Sequence, residues 1–277
     1  MNFIDILKVL VMGIVEGFTE WLPISSTGHM ILVDDFLQLN FRPEFKEMFL
    51  MMIQSGAMLA IVVLYFRRLN PFSPRKSSEQ KKATWRLWAK IAVACIPAAI
   101  VGLLADDWIQ EHMFNGFIVA VSLIVYGILF IVVENVNRYK EPYITRLGQM
   151  DYMTAFYIGL FQVLALIPGT IRLGATILGA MLLGCSRGVS TEFSFFLGIP
   201  VIFGTSFIKM LKFGFDFQGY EIFYLVIGML TAFFVSIYAV KFLLNWIKKN
   251  DFKFFGYYRI VLGVIVLIWY GVSMLLK

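Results

Sequence analysis

Apolar residues dominate this chain in long runs that short polar segments separate. Two shorter runs, at 91–105 and 193–208, become long enough to cross a bilayer if Lys90 and Lys209 reach back to the interface. Four further runs are long enough by themselves: Met48–Phe66, Gly116–Val133, Ile222–Val240 and Ile260–Leu276. The pattern therefore predicts six transmembrane helices.

The first 33 residues depart from this pattern. An apolar helical run ends in polar residues around Pro23, and a second short helix is expected to continue into Met30 and Ile31. Non-helical backbone at membrane depth is tolerated only where it is buried in protein or lines a cavity. We therefore predict a re-entrant helical hairpin with its break at Leu22–Ser26, and a polar cavity at that break.

Residues 159–177 repeat this layout. Glycine and a polar residue recur as Gly13-x-x-Glu16 and Gly159-x-x-Gln162. Pro168 corresponds to Pro23, with an offset of one position in the alignment of the two stretches. We predict a second hairpin, and an inverted repeat with halves 1–147 and 148–277 in a single membrane domain, 1–277. Such repeats place their hairpins near the midplane. The fold class expected is an all-α polytopic membrane protein with six transmembrane helices plus two re-entrant helical hairpins.

Composition and charge placement agree with this class. Hydrophobic residues make up 60% of the chain and charged residues only 15%, which excludes an ordinary soluble domain. The net charge of +6 does not indicate nucleic acid, because Lys and Arg gather in a few loops, as they do in cytoplasmic loops. We assign the basic residues between 241 and 259, Arg259 included, to one such loop. The acidic segment 106–112 is expected to be an outer loop.

The first break carries carboxylate and hydroxyl groups that are suited to catalysis or to ligand binding. Glu16 and Glu20 lie four residues apart on one helical face, where their repulsion could be relieved by a divalent cation or a shared proton. Ser25, Ser26 and Thr27 begin a second helix, where free backbone N–H groups bind anions and one hydroxyl serves as the N-cap. Alternatively, each of the two carboxylates has a structural role, in which it pairs with a cation or accepts a hydrogen bond from a backbone N–H.

The second break contributes a cation. Arg172, near Gly169 and Gly174, presents a fork of donors suited to phosphate, although a buried structural ion pair is the alternative. Carboxylates, hydroxyls, His29 and this arginine together suit phosphoryl transfer on an anionic lipid. Either a serine or the histidine could take the phosphoryl group or activate water.

These residues resemble a known family. Glu16-Gly17-Phe18-Thr19-Glu20 with Pro23, Ser25-Ser26-Thr27-Gly28-His29, and later Pro168-Gly169-Thr170, Arg172 and Gly174-Ala175-Thr176 are similar to the motifs of the undecaprenyl-diphosphate phosphatase family of the bacitracin-resistance type. The resemblance covers essentially the whole chain. It implies hydrolysis of undecaprenyl diphosphate to the monophosphate, which recycles the lipid carrier for cell-wall synthesis.

The resemblance also implies roles for individual residues. The catalytic set would be Glu16, Glu20, Ser26, His29 and Arg172, and the phosphate-binding set Ser25, Thr27, Gly169, Thr170, Arg172 and Thr176. Glu16 and Glu20 would hold a divalent cation, Mg2+ or Ca2+. The partners expected are a polyprenyl diphosphate lipid and the bacterial plasma (inner) membrane, with the site open to the outer face. A homodimer is compatible with the sequence, which leaves the oligomeric state open.

One departure from the family pattern matters. The family's second motif reads Pro-Gly-x-Ser-Arg-Ser, whereas Ile171 and Leu173 flank Arg172 here. Losing a hydrogen bond to a charged group costs roughly 1.5–3 kcal/mol, so each serine could matter on the order of tenfold to a hundredfold in rate. We expect retained activity because the first motif is intact. The alternative is a weakened or non-hydrolysing paralogue that acts as a polyprenyl-phosphate transporter or flippase.

Overall fold

The chain is mainly helical in the part that the computed structural model describes, residues 3–113, 116–214 and 216–275. Within these residues there are eleven α-helices and two short 3-10 helices, at Leu147–Gln149 and Leu164–Leu166. The α-helices are α1 Phe3–Thr19, α2 Ser26–Leu37, α3 Pro43–Leu64, α4 Phe66–Leu69, α5 Ser78–Met113, α6 Gly116–Asn137, α7 Tyr152–Val163, α8 Arg172–Leu182, α9 Arg187–Phe213, α10 Glu221–Trp246 and α11 Lys253–Leu275.

Six of the described helices are long and apolar enough to cross a membrane. They are α3, α5 over Ser78–Ala105, α6, α9, α10 and α11 over Lys253–Val272. The six predicted spans are confirmed, and most of the helices extend beyond the apolar runs because a helix need not end where its hydrophobic stretch does. The loop expected at 106–112 is wrong, since α5 continues to Met113. That segment has acidic residues but no glycine or proline to stop a helix.

The chain divides into two compact units that interleave along the sequence. Unit 1 contains Met1–Leu22, Ser26–Phe66 and Gly198–Leu243, and unit 2 contains Pro23–Ser25, Arg67–Leu197 and Leu244–Lys277. This division differs from halves that meet at residue 147, and the inverted repeat stays a prediction. The two motifs singled out in the sequence fall mainly in different units, so each is described within its own unit.

Unit 1 packs α1 and α3 closely against α10. A Cβ added to Gly17 of α1 would lie 2.6 Å from the Ala232 carbonyl oxygen, and one added to Gly56 of α3 would lie 2.5 Å from the Met229 carbonyl oxygen. Small residues allow backbones to approach in this way, as is common between membrane helices. The Ser236 hydroxyl of α10 donates to the Gly17 carbonyl at 3.1 Å. The end of α1 that carries the acidic motif is thereby fixed on α10.

In unit 2, α6 and α11 pack together at their glycines, and an ion pair joins α6 to α9. A Cβ on Gly127 would lie 2.7 Å from the Gly256 carbonyl oxygen, and a Cβ on Gly256 would lie 2.7 Å from the Gly127 carbonyl oxygen. Glu134 at the end of α6 is buried and accepts from Arg187 of α9 at 2.5 Å and from the Phe252 N–H at 2.9 Å. This buried carboxylate therefore has a cationic partner, as buried charges usually do.

Candidate active site

The first motif lies where α1 ends and α2 begins. The helix stops at Thr19, and its last turn continues as far as the hydrogen bond from the Glu20 N–H to the Glu16 carbonyl at 3.0 Å. Pro23 lies within the break, where it cannot continue a helix, and α2 then begins at Ser26. The predicted helix–break–helix order is confirmed, and Glu16 and Glu20 do share one helical face. Whether this pair of helices is re-entrant stays a prediction.

Glu20 and Ser26 are brought together across the break. The Ser26 hydroxyl donates to Glu20 Oε2 at 2.9 Å, and Ser26 is buried whereas Glu20 is half-buried. A hydroxyl and a carboxylate within hydrogen-bond reach are the arrangement that activates an oxygen nucleophile. His29 lies three residues further along α2 and is half-buried. The sequence did not choose between Ser26 and His29, and this hydrogen bond favours Ser26.

Glu16 is a buried carboxylate without compensation from the described protein. It is 0% exposed, and neither carboxylate oxygen has a hydrogen-bond partner among the described residues. Burying an ionised group is expensive unless it is paired, coordinated or neutralised by a proton. Glu16 and Glu20 supply two carboxylates, and no group of three or more metal-ligating side chains occurs among the described residues. Such a pair fits Mg2+, which typically uses one or two carboxylates with substrate phosphates and water.

The residues around Ser26 show local strain. Ser25 is buried and adopts φ +87°, a left-handed conformation that is unfavourable for a residue with a side chain. Strain of this kind concentrates at functional sites, where the surrounding structure holds it in place. The Thr27 side chain lies outside the described part of the chain, so its predicted phosphate contact stays a prediction. The strained turn places Ser25 directly before the nucleophile candidate.

The second motif has the same order of elements in unit 2. Asp151 caps α7 by accepting from the Thr154 N–H at 2.7 Å, and α8 begins at Arg172. Gly169 lies in the break with φ +85°, and a Cβ there would lie 2.6 Å from the Val119 carbonyl oxygen. Only glycine satisfies both the conformation and the close approach. The second break is therefore as closely defined as the first.

Arg172 and Thr176 occupy defined positions at the start of α8. Arg172 is half-buried and its Nη1 donates to the Ser194 carbonyl at 3.0 Å. The Thr176 hydroxyl is fully buried and donates to the Arg172 and Leu173 carbonyls of its own helix, at 2.9 and 3.2 Å. The predicted contact of each residue with phosphate remains untested. The described geometry gives Thr176 a role in closing the first turn of α8.

Ile171 and Leu173 are both buried where the family has serine. Ile171 is the N-cap residue of α8 and makes no side-chain cap hydrogen bond, as an aliphatic side chain cannot. Leu173 is 1% exposed. The hydroxyls that serine would supply at these two positions are therefore replaced by packed hydrocarbon. The backbone N–H groups at the start of α8 have lost one means of satisfaction within the protein.

Arg259 is a candidate that the sequence reasoning missed. It was assigned to a cytoplasmic loop, but α11 begins at Lys253 and Arg259 lies inside it, 0% exposed. Its Nη2 donates to the Gly169 carbonyl at 3.0 Å, so it contacts the second break. The error arose because a charge count assigns a cation near a helix end to the loop. The isolated position of Arg259, six residues into an otherwise apolar helix, was the available signal.

Fold and site together define a helical multi-span membrane protein whose two interrupted helix pairs carry acidic, hydroxyl and cationic groups suited to phosphorylated ligands. The chain belongs to the family described as bacitracin resistance protein BacA, whose family model matches residues 9–265. The resemblance found in the motifs is thus confirmed.

Named relatives agree over almost the full chain. An undecaprenyl-diphosphatase of Enterococcus faecalis is 56% identical over 270 residues, which cover 96% of this chain and 98% of the relative. An undecaprenyl-diphosphatase of Desulfitobacterium hafniense is 56% identical over 272 residues, 98% of each chain. One of Lachnoclostridium phytofermentans is 58% identical over 266 residues, 96% of this chain and 97% of the relative.

Proposed function

We propose that this protein hydrolyses undecaprenyl diphosphate to undecaprenyl phosphate and inorganic phosphate, and so recycles the lipid carrier used in cell-wall synthesis. The observation that carries the proposal is the hydrogen bond from Ser26 to Glu20 at the break of the first motif. The family and the names of the relatives supply the substrate class. Those names denote hydrolysis, so they favour the phosphatase over the flippase hypothesis.

The reaction begins at Ser26. Its hydroxyl gives its proton to Glu20 while Oγ forms a bond to the terminal phosphorus, and the bond from that phosphorus to the bridging oxygen breaks. Undecaprenyl phosphate leaves, and Ser26 carries the phosphoryl group. In the second step water attacks the phosphorus and gives a proton to His29, while Glu20 returns its proton to the departing Ser26 oxygen. Phosphate is released and His29 gives its proton to solvent, so that the serine, the carboxylate and the histidine regain their starting states.

The remaining groups hold and neutralise the diphosphate. Arg172 offers a fork of donors that matches phosphate oxygens. Ser25, Thr27, Gly169, Thr170 and Thr176 complete the proposed phosphate-binding set, through hydroxyls and backbone N–H groups at two helix starts. Placing several donors on the transferring group is the main source of rate enhancement in phosphoryl transfer.

A divalent cation, Mg2+ or Ca2+, is proposed at Glu16 and Glu20. The support is the buried Glu16 carboxylate, whose two oxygens have no hydrogen-bond partner among the described residues. When bound, such an ion would neutralise phosphate charge. Glu16 would hold and orient it, and Glu20 would divide its two oxygens between the ion and Ser26.

Location and assembly extend the same proposal. We place the protein in the bacterial inner membrane with the active site open to the outer face, and with both interrupted helix pairs as re-entrant hairpins of an inverted repeat. Accessibility of single cysteines introduced at positions 37 and 188 to a membrane-impermeant thiol reagent, in a background without native cysteines, tests this orientation; a Cβ at Gly188 meets nothing within 4 Å. A homodimer remains a prediction that light scattering of the purified protein in detergent can test.

The direct test of function is phosphate release from undecaprenyl diphosphate by the purified, unmodified protein, with and without chelator. We expect release that chelator abolishes and added Mg2+ or Ca2+ restores. A Ser55→Ala variant is a suitable control, because Ser55 is a buried serine whose hydroxyl donates to Ser206 at 2.7 Å, within unit 1. Translocation of the lipid without phosphate release would replace the phosphatase with the transporter hypothesis.

A further inference from the structure

Arg259 is a fully buried cation for which the phosphatase mechanism above gives no role. It lies in α11 at 0% exposure, inside a helix that is long and apolar enough to cross a membrane. Desolvating a guanidinium costs several kcal/mol in effective terms, so buried arginines normally face a carboxylate or another anion. The burial of Arg259 therefore raises the question of which anion neutralises it.

The described contacts of Arg259 are all uncharged. Nη2 donates to the Gly169 carbonyl at 3.0 Å, and the guanidinium carbon lies 5.5 Å from the centre of the Tyr126 ring. Nε and Nη1 are buried without a hydrogen-bond partner among the described residues. A carbonyl and an aromatic face orient a cation but do not neutralise it. By contrast, Arg187 in the same unit pairs with the buried Glu134.

The surroundings of Arg259 are those of the second break. Gly169 is its acceptor, and Thr170 forms a side-chain hydrogen bond with Tyr126, the ring against which Arg259 lies. Two residues later α8 begins with Arg172, and its N-cap Ile171 supplies no side-chain hydrogen bond. The unpartnered donors of Arg259 thus lie beside a helix start that itself favours negative charge.

We infer that Arg259 is a second phosphate-binding arginine of this motif, using Nε and Nη1 on the oxygens of a diphosphate while Nη2 stays on the Gly169 carbonyl. The chemistry matches, since the guanidinium is a cation with five N–H donors, and its two unpartnered nitrogens, whose N–H groups point in different directions, can each donate to a different phosphate oxygen. This inference rests on the proposed function for its ligand class. It also offers a reason why the second motif can operate without its two serines, because another donor pair is present.

The test is direct binding of inorganic pyrophosphate to the purified full-length protein in detergent. Calorimetry gives the affinity, and thermal unfolding with and without pyrophosphate gives a second readout. Arg259→Met removes the charge and keeps the apolar stem, and Arg259→Lys keeps the charge without the planar set of guanidinium donors. Arg187→Met is the control for loss of an arginine of the same unit that has a carboxylate partner. Tyr126→Phe removes the hydroxyl that bonds Thr170 while leaving the charge of Arg259.

We expect Arg259→Met to weaken pyrophosphate binding by on the order of tenfold to a hundredfold, the effect of losing hydrogen bonds to a charged group. Arg259→Lys should lie between this variant and the unmodified chain. Without ligand, Arg259→Met should unfold at the same or a higher temperature, since an uncompensated buried charge is gone. Arg187→Met should lower that temperature and leave the affinity unchanged, and Tyr126→Phe should change the affinity less than threefold.

Unchanged affinity in Arg259→Met would overturn the inference, and so would an unmodified chain that fails to bind pyrophosphate. If Arg259→Met does not fold, unchanged affinity in Arg259→Lys has the same consequence. A purely structural role would instead lower the unfolding temperature of Arg259→Met and of Tyr126→Phe together. A chain that binds pyrophosphate through Arg259 but releases no phosphate from the lipid keeps this inference and loses the proposed function.

Discussion

The two interrupted helix pairs share a layout but differ in charge. Glu16 and Gln162 occupy matching sequence positions, both are buried, and the side-chain oxygens and nitrogen of both lack hydrogen-bond partners among the described residues. After the break, the first pair begins its second helix with Ser26, which donates to Glu20, and the other begins with Arg172 behind an aliphatic N-cap. The same order of elements thus carries carboxylates and a hydroxyl in one motif and an arginine in the other.

This difference indicates a division of labour. In the proposed mechanism the first motif supplies the carboxylate and the hydroxyl for bond making, and the second supplies the positive donors that hold the diphosphate. Replacement of serine by Ile171 and Leu173 would then affect only the second task. The proposed mechanism therefore keeps its bond-making groups when these two hydroxyls are absent.

Among variants that compare the two motifs, exchanging the residue at the matching position should produce the largest effect. Glu16→Gln gives the first motif the neutral amide of the second and removes a carboxylate from the proposed cation site. We expect kcat to fall on the order of a hundredfold or more, because charge stabilisation in the transition state is lost. The activity of the variant should also respond less to added Mg2+, measured as phosphate release across a titration of the metal. Full activity with an unchanged metal response would remove Glu16 from the site.

Restoring serine in the second motif should have a smaller effect. Ile171→Ser supplies an N-cap hydroxyl at the start of α8, and we expect kcat/KM to rise on the order of tenfold if the hydroxyl also reaches phosphate. Leu173→Ser is the companion variant, and because Leu173 is 1% exposed we expect it to lower the unfolding temperature. Phosphate release and thermal unfolding distinguish the two effects. An unchanged rate in both variants would show that the serines are unnecessary here.

The smallest effect concerns the support of the second motif. Hydrogen bonds from Thr154 lower the pKa of Asp151 below its ordinary value. A depressed carboxylate pKa contributes stability that is present above the unfolded pKa, about 3.9, and that is lost as the pH falls through the folded value. Asp151→Ala should destabilise α7 by about 1 kcal/mol at neutral pH. Hydrogen exchange at Thr154 should increase in this variant, and Asp151→Asn should keep the cap and lose the acid sensitivity.

Sequence reasoning reached the class of the fold because long apolar runs have few alternatives to transmembrane helices. It located both breaks because Pro23, Pro168 and Gly169 interrupt helices for local reasons. It misplaced the end of α5, because acidic residues mark the end of the apolar run and not the end of the helix. It also missed Arg259, since burial of one cation depends on a neighbouring element, Gly169, that lies ninety residues away.

The pairing of Ser26 with Glu20 was beyond the sequence for the same reason. Spacing places Glu16 and Glu20 on one face, but the conformation of the break decides which hydroxyl reaches which oxygen. The positive φ of Ser25 is part of that conformation, and a serine in the sequence does not predict a positive φ. The sequence therefore left Ser26 and His29 as alternative nucleophiles, and the hydrogen bond from Ser26 to Glu20 favours Ser26.

The central claim, that Ser26 and Glu20 act as one unit in phosphoryl transfer, is tested most directly by a double-mutant cycle on phosphate release from undecaprenyl diphosphate. Ser26→Ala and Glu20→Gln should each lower kcat by on the order of a thousandfold or more, and the double variant should be little worse than the more damaging single one. Losses that multiply in the double variant, or full activity in either single variant, would contradict the account.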